Sequence, residues 1–164
     1  MCWECHKTKI KLTVDSTDKT VYKVLAWNRQ EKRLTAWYIP GVKYDLHCTY
    51  HSEIEFTQPS AEIGIIEVHK GLHSYLDMPK KFKNGVSVHS RSHFTTFQDL
   101  PLVARCIIPA GTLYGVGYNG EVVSTILHVE RILSWDTLVS IPGSELDSEY
   151  ARMYKEIYNL IYSK

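Results

Sequence analysis

One dipeptide limits this chain more than any other feature: Asn119-Gly120, set between two β-prone runs at 112–118 and 121–133. Asn-Gly reverses a chain cheaply because both residues tolerate positive φ, which the type I′ turn of a hairpin requires. The flanking runs are therefore expected to pair antiparallel. The rest of the chain follows the same grammar. Residues 21–27 (Val-Tyr-Lys-Val-Leu-Ala-Trp) read as a strand, residues 28–33 as a polar turn, and residues 34–39 as the returning strand, closed by Pro40-Gly41. Further strands are expected near 53–56 and 63–69, and a long one at 102–108, ended by Pro109-Ala110-Gly111.

The tail changes period. After Pro142-Gly143, Ser144-Glu145-Leu146-Asp147 has the form of a capping box. Leu146, Tyr150, Met153, Ile157, Leu160 and Ile161 then recur at helical spacing. This stripe reads as a helix docked on its own sheet. The expected fold is α+β: one domain over 1–164, with an N-terminal segment at 1–20, a curved, mainly antiparallel sheet core at 21–133 and an amphipathic C-terminal helix at 144–163. At 164 residues, one hydrophobic core suffices without staples.

Charge removes one class of partner. Nineteen basic residues against eighteen acidic ones leave a formal +1, and the densest basic run, Lys80, Lys81 and Lys83, reads as a solvated loop. DNA binding is not expected. No apolar run approaches the ~18 residues of a membrane helix, and the N-terminal residues carry no apolar leader, so a cytoplasmic protein with reduced cysteines is expected. Eleven tyrosines beside four phenylalanines suit half-buried strands and contact surfaces.

Several clusters carry potential chemistry. Cys2-x-x-Cys5 and Cys48-x-x-His51 together supply four zinc-type ligands at workable spacing, while packing explains the same residues without a metal. No other cofactor is implied. His6, His47 and His93 each open an H-x-T string; paired on facing strands, two such strings form the acid and base of two-histidine phosphoesterases, although strings this short also arise by chance. His89-Ser90-Arg91-Ser92-His93 would place His89, Arg91 and His93 on one strand face, either as an oxyanion cradle or as a solvated edge. The glycines at 111, 115, 117 and 120 lack a following Gly-Lys-Ser/Thr and fit a bent hairpin rather than a nucleotide loop.

Four segments in order carry a resemblance: Val21-Tyr22-Lys23-Val24-Leu25, Gly41-x-Lys43-Tyr44, Gly71-Leu72-His73-Ser74-Tyr75, and Cys106-Ile107-Ile108-Pro109-x-Gly111-x-x-Tyr114. Together they resemble a family of small uncharacterised proteins from Bacteroides-type gut bacteria and their phages, over roughly residues 20–133. That resemblance implies a phage-type accessory protein of the host cytoplasm. A fainter likeness, from Tyr22 and Gly-Leu-His-Ser-Tyr, is to ADP-ribosyltransferase folds, without their catalytic strings.

The expected function is a non-catalytic binder that sequesters a nucleotide-like small molecule or blocks a host defence protein. His73, Tyr75, His89, Arg91 and His93 are its candidate ligand contacts, with Tyr44 and Arg105 behind them. A phosphate- or NAD-directed enzyme and a structural, virion-associated protein are the alternatives. A homo-oligomer is compatible with each.

Overall fold

Two ten-residue strands organise the protein, and their sequences say why. In the computed structural model, which describes residues 6–9, 11–36, 42–57, 65–77, 99–117, 120–139 and 148–163, the strands Lys19–Asn28 (β3) and Asp99–Ile108 (β10) pair antiparallel over all ten positions. Val21, Leu25, Leu102, Val103, Ala104 and Cys106 are fully buried, so both sides of this pair are covered near its centre. Near-continuous apolar runs are what such strands require.

The remaining strands are His6–Lys9 (β1), Lys11–Val14 (β2), Arg33–Ala36 (β4), Lys43–Tyr44 (β5), Cys48–His51 (β6), Glu55–Thr57 (β7), Ile65–Lys70 (β8), Leu72–Tyr75 (β9), Leu113–Val116 (β11), Glu121–Ser124 (β12) and Ile126–Ile132 (β13). The main sheet runs β2-β11-β12-β9-β3-β10-β13-β6, and a β4-β5 branch leaves β3. β3 thus forks: Leu25 to Asn28 pair with β4, whereas Tyr22 pairs with Tyr75 of β9. A smaller three-stranded sheet, β1-β8-β7, packs Val68 with Val123, Leu12 and Ile54. Gly71 lies at this junction, where a Cβ would come within 2.2 Å of Val123 Cγ2. The protein is mostly antiparallel sheet with a C-terminal helix, as the sequence leads one to expect.

The Asn-Gly hairpin is present. Gly117 N donates to Glu121 O at 2.8 Å, Gly120 N donates to Gly117 O at 3.2 Å, and Gly120 has φ +84°. These bonds hold the two ends of the hairpin loop together. Asn119 lies outside the described residues. The run 121–133 is two strands, not one. At Thr125 the chain turns, its N–H going to Leu113 O and its carbonyl accepting from Ser52 N. β12 then stays beside β11 and β9, while β13 crosses to β10 and β6.

Two further elements depart from expectation. β1 and β2 bring part of the N-terminal segment into the sheets, so strand structure begins before residue 21. A short helix, Trp135–Val139 (α1), follows β13, with the Ser134 hydroxyl accepting from Thr137 N at 3.2 Å as its N-cap.

The C-terminal helix is Ser148–Tyr162 (α2); the capping box at 144–147 lies outside the described residues. Its buried stripe follows the expected one at Ile157, with Met153 and Ile161 packed partly buried against the core, and departs from it at two positions. Among its described side chains Tyr154 and Ile157 are buried, while Leu160 is 59% exposed. Tyr154 wins the core position because its hydroxyl reaches Leu133 O at 2.6 Å and its ring packs on Trp135 at 5.5 Å. Among the described residues no helix is long and apolar enough to cross a membrane.

Candidate functional site

The fork in β3 leaves room at its C-terminal end, and α2 closes one side of it. The result is a groove of about 620 Å³, within the size range of small-molecule sites. Register sets its floor: Trp27 lies opposite Leu34, and Leu34 opposite Tyr44, so all three share one face of the sheet. Ile157, Leu160 and Ile161 of α2 form the facing wall, with Leu46 between.

Charge gathers at the β3–β4 turn. Asn28 Oδ1 accepts from Glu31 N at 2.9 Å, and Lys32 takes φ +53°, so the turn holds Arg29, Lys32 and Arg33 at the groove. These cations are sparingly engaged. Arg29 donates to Met153 Sδ at 3.6 Å, and Arg33 meets Asp45 at 3.5 Å, too long for a strong bond. Arg33 Nε is buried and has no hydrogen-bond partner. A buried donor left unsatisfied costs ~1–3 kcal/mol, and an acceptor oxygen in the groove would recover that. Asp45 and Glu156 are the acidic members of the lining.

Tyr44 and Asp45 are fixed from behind. Asp45 N donates to the Tyr50 hydroxyl at 2.6 Å, and the Tyr44 and Tyr50 rings meet edge-on at 4.8 Å. Burial pushes the Tyr50 phenol above its ordinary value, so it stays neutral and able to hold this corner. The groove therefore has a rigid aromatic floor, an apolar wall and a guanidinium-rich mouth. That arrangement suits a flat, partly apolar ligand bearing an anionic group.

Of the described residues singled out from sequence, Tyr44 alone lies in this groove. Three others gather elsewhere. His73 and Tyr75 stack edge-on at 4.9 Å on β9, Tyr75 is registered opposite Tyr22, and Tyr22 opposite Arg105. They form a row on the sheet side opposite to Trp27, and Arg105 is ion-paired with Glu130. His89, Arg91 and His93 lie outside the described residues, as do Cys2 and Cys5. Cys48 and His51 are both exposed on β6. Three positions apart on a strand, they fall on opposite sides of it. Among the described residues no three His, Cys, Asp or Glu side chains are grouped to hold a metal ion. Of the H-x-T strings, the one at His93 lies outside the described residues; Thr49 Oγ1 meets His128 Nδ1 at 2.9 Å.

Sequence reading treated 28–33 as a solvated turn and so missed Arg29, Lys32 and Arg33. Three cations in six residues, directly after a tryptophan, were the available signal. Comparison with family models, curated proteins and solved structures returned no match.

Proposed function

We propose that this protein is a non-catalytic binder that holds a nucleotide-like small molecule in the groove between the β3–β4 turn and α2. The observation that carries the reading is the unpartnered, buried Arg33 Nε at the mouth of an aromatic-floored cavity. A phosphate or carboxylate oxygen there accepts a charge-assisted hydrogen bond, roughly twice as strong as a neutral one. Trp27 supplies flat surface over the buried Tyr44 ring, and the neighbouring Arg29 and Lys32 add positive charge, neither ion-paired with a carboxylate among the described residues. Asp45 is placed to accept from a base or sugar donor.

In this reading the protein withdraws its ligand from other users and returns it unchanged. Native mass spectrometry of protein purified from cell extract, followed by denaturation, tests it. The expected result is an anionic adduct released with its mass intact, lost in Arg33→Gln. A released product of altered mass would point instead to catalysis and overturn the reading.

A further inference from the structure

A second site lies deeper, on the same side of the sheet. Lys23 sits in the middle of β3 and is 2% exposed. Its Nζ donates to the His73 carbonyl at 2.6 Å and stands 5.3 Å from the centre of the Tyr44 ring. Among the described residues no carboxylate pairs with it. Cys106, its buried neighbour on β10, supplies no counter-charge, since burial pushes that thiol up to about 12. An ammonium has three donors, and a buried charge is expensive without an opposite charge or a full set of acceptors.

Two more buried groups on the same face of the sheet lack partners. The Ser74 and Ser124 hydroxyls are completely buried and make no hydrogen bond. Ser74 follows His73, whose carbonyl Lys23 reaches, on β9. Ser124 is registered opposite Leu72 and Ser74 opposite Val122, which puts both hydroxyls on the same face of adjoining strands. Lys23 shares that face, because Tyr22, its neighbour, is registered with Tyr75, the neighbour of Ser74. Ordered water would satisfy the two hydroxyls, yet would leave the charge uncompensated.

From these positions we infer that Lys23, Ser74 and Ser124 form an internal binding site for a small oxyanion, a carboxylate or a phosphate. The lysine supplies charge and two remaining donors, and the serines supply one donor each. Tyr44 connects this site to the groove, since it both stands over Lys23 Nζ and lines the groove. The inference does not depend on what the groove binds.

The test is thermal unfolding of the full chain, titrated with inorganic phosphate or acetate in place of chloride at constant ionic strength. Lys23→Met, Arg33→Gln and the Ser74→Ala/Ser124→Ala pair are run beside the unaltered protein. A rise in Tm that grows with the logarithm of anion concentration above Kd is expected, roughly 5–10 °C once the anion exceeds its Kd 100-fold. It should persist in Arg33→Gln, vanish in Lys23→Met, and need roughly tenfold more anion in the serine pair. The serine pair also decides the matter if Lys23→Met does not fold. A rise that survives Lys23→Met, a rise lost only in Arg33→Gln, an unchanged anion dependence in the serine pair, or no rise with either anion would each overturn the inference. A crystal structure grown in phosphate that shows water alone at Lys23 would do the same.

Discussion

Alkaline pH should weaken this fold, and first through a buried thiol. Cys106 is wholly buried on β10, registered against Val21 of β3 and Val129 of β13. Burial raises its ionisation from 9.0 to about 12. The folded chain keeps the proton while the unfolded chain releases it, so this contribution to stability is complete below pH 9. It is lost as pH rises from 9 toward about 12. Each unit between those limits costs about 1.4 kcal/mol, giving a loss of about 1 kcal/mol by pH 10 and roughly 4 kcal/mol by pH 12. The assay is urea unfolding under reducing conditions at half-unit steps from pH 7.5 to 10, comparing the native chain with Cys106→Ala. Removing the side chain leaves a cavity and lowers stability at every pH, so only the slope is diagnostic. The native chain should lose about 1 kcal/mol more than the variant between pH 8 and 10. Parallel slopes would refute the buried, neutral thiol. Above pH 10 Tyr154 adds a loss of the same sign, because burial raises its phenol as well.

Two other perturbations probe the packing. Tyr154→Phe deletes the hydroxyl that donates to Leu133 O at 2.6 Å and should cost about 1–3 kcal/mol in urea unfolding; an unchanged midpoint would mean this bond does not anchor α2. Gly71→Ala drives a Cβ to 2.2 Å from Val123 Cγ2 and should cost about 1–3 kcal/mol. Combining it with Val123→Ala should recover part of that in a double-mutant cycle, whereas strict additivity would deny the contact.

Much of the sheet was legible because its signals are local. β3 and β10 are long apolar runs bounded by turn residues, and Asn119-Gly120 marked the hairpin between β11 and β12. The break at Thr125 was not legible. It depends on Leu113 and Ser52, residues distant in sequence whose backbone groups divide the run into strands for two parts of the sheet. The stripe of α2 was legible at Met153, Ile157 and Ile161 but not at Tyr154 and Leu160, for a related reason. Period alone favours Leu160, but a hydroxyl that finds Leu133 O lets Tyr154 take the core while Leu160 faces the groove. The binding groove hid because its cations lie in a turn, where solvated charge is the ordinary reading, and its walls come from segments more than a hundred residues apart. Lys23 hid inside a strand, indistinguishable from an outward-facing residue until the opposite strand was placed.

The central claim is that the groove accepts an anion attached to a flat body. Isothermal titration with a nucleoside monophosphate and with the matching nucleoside tests it most directly, in the native chain, Arg33→Gln and Leu160→Ser. The account predicts saturable binding of the phosphorylated form, at least tenfold weaker binding of the nucleoside, and the loss of that difference in Arg33→Gln. Leu160→Ser should weaken both ligands alike. Equal affinity for the two ligands in the native chain, or a preference for phosphate that persists without Arg33, would contradict it.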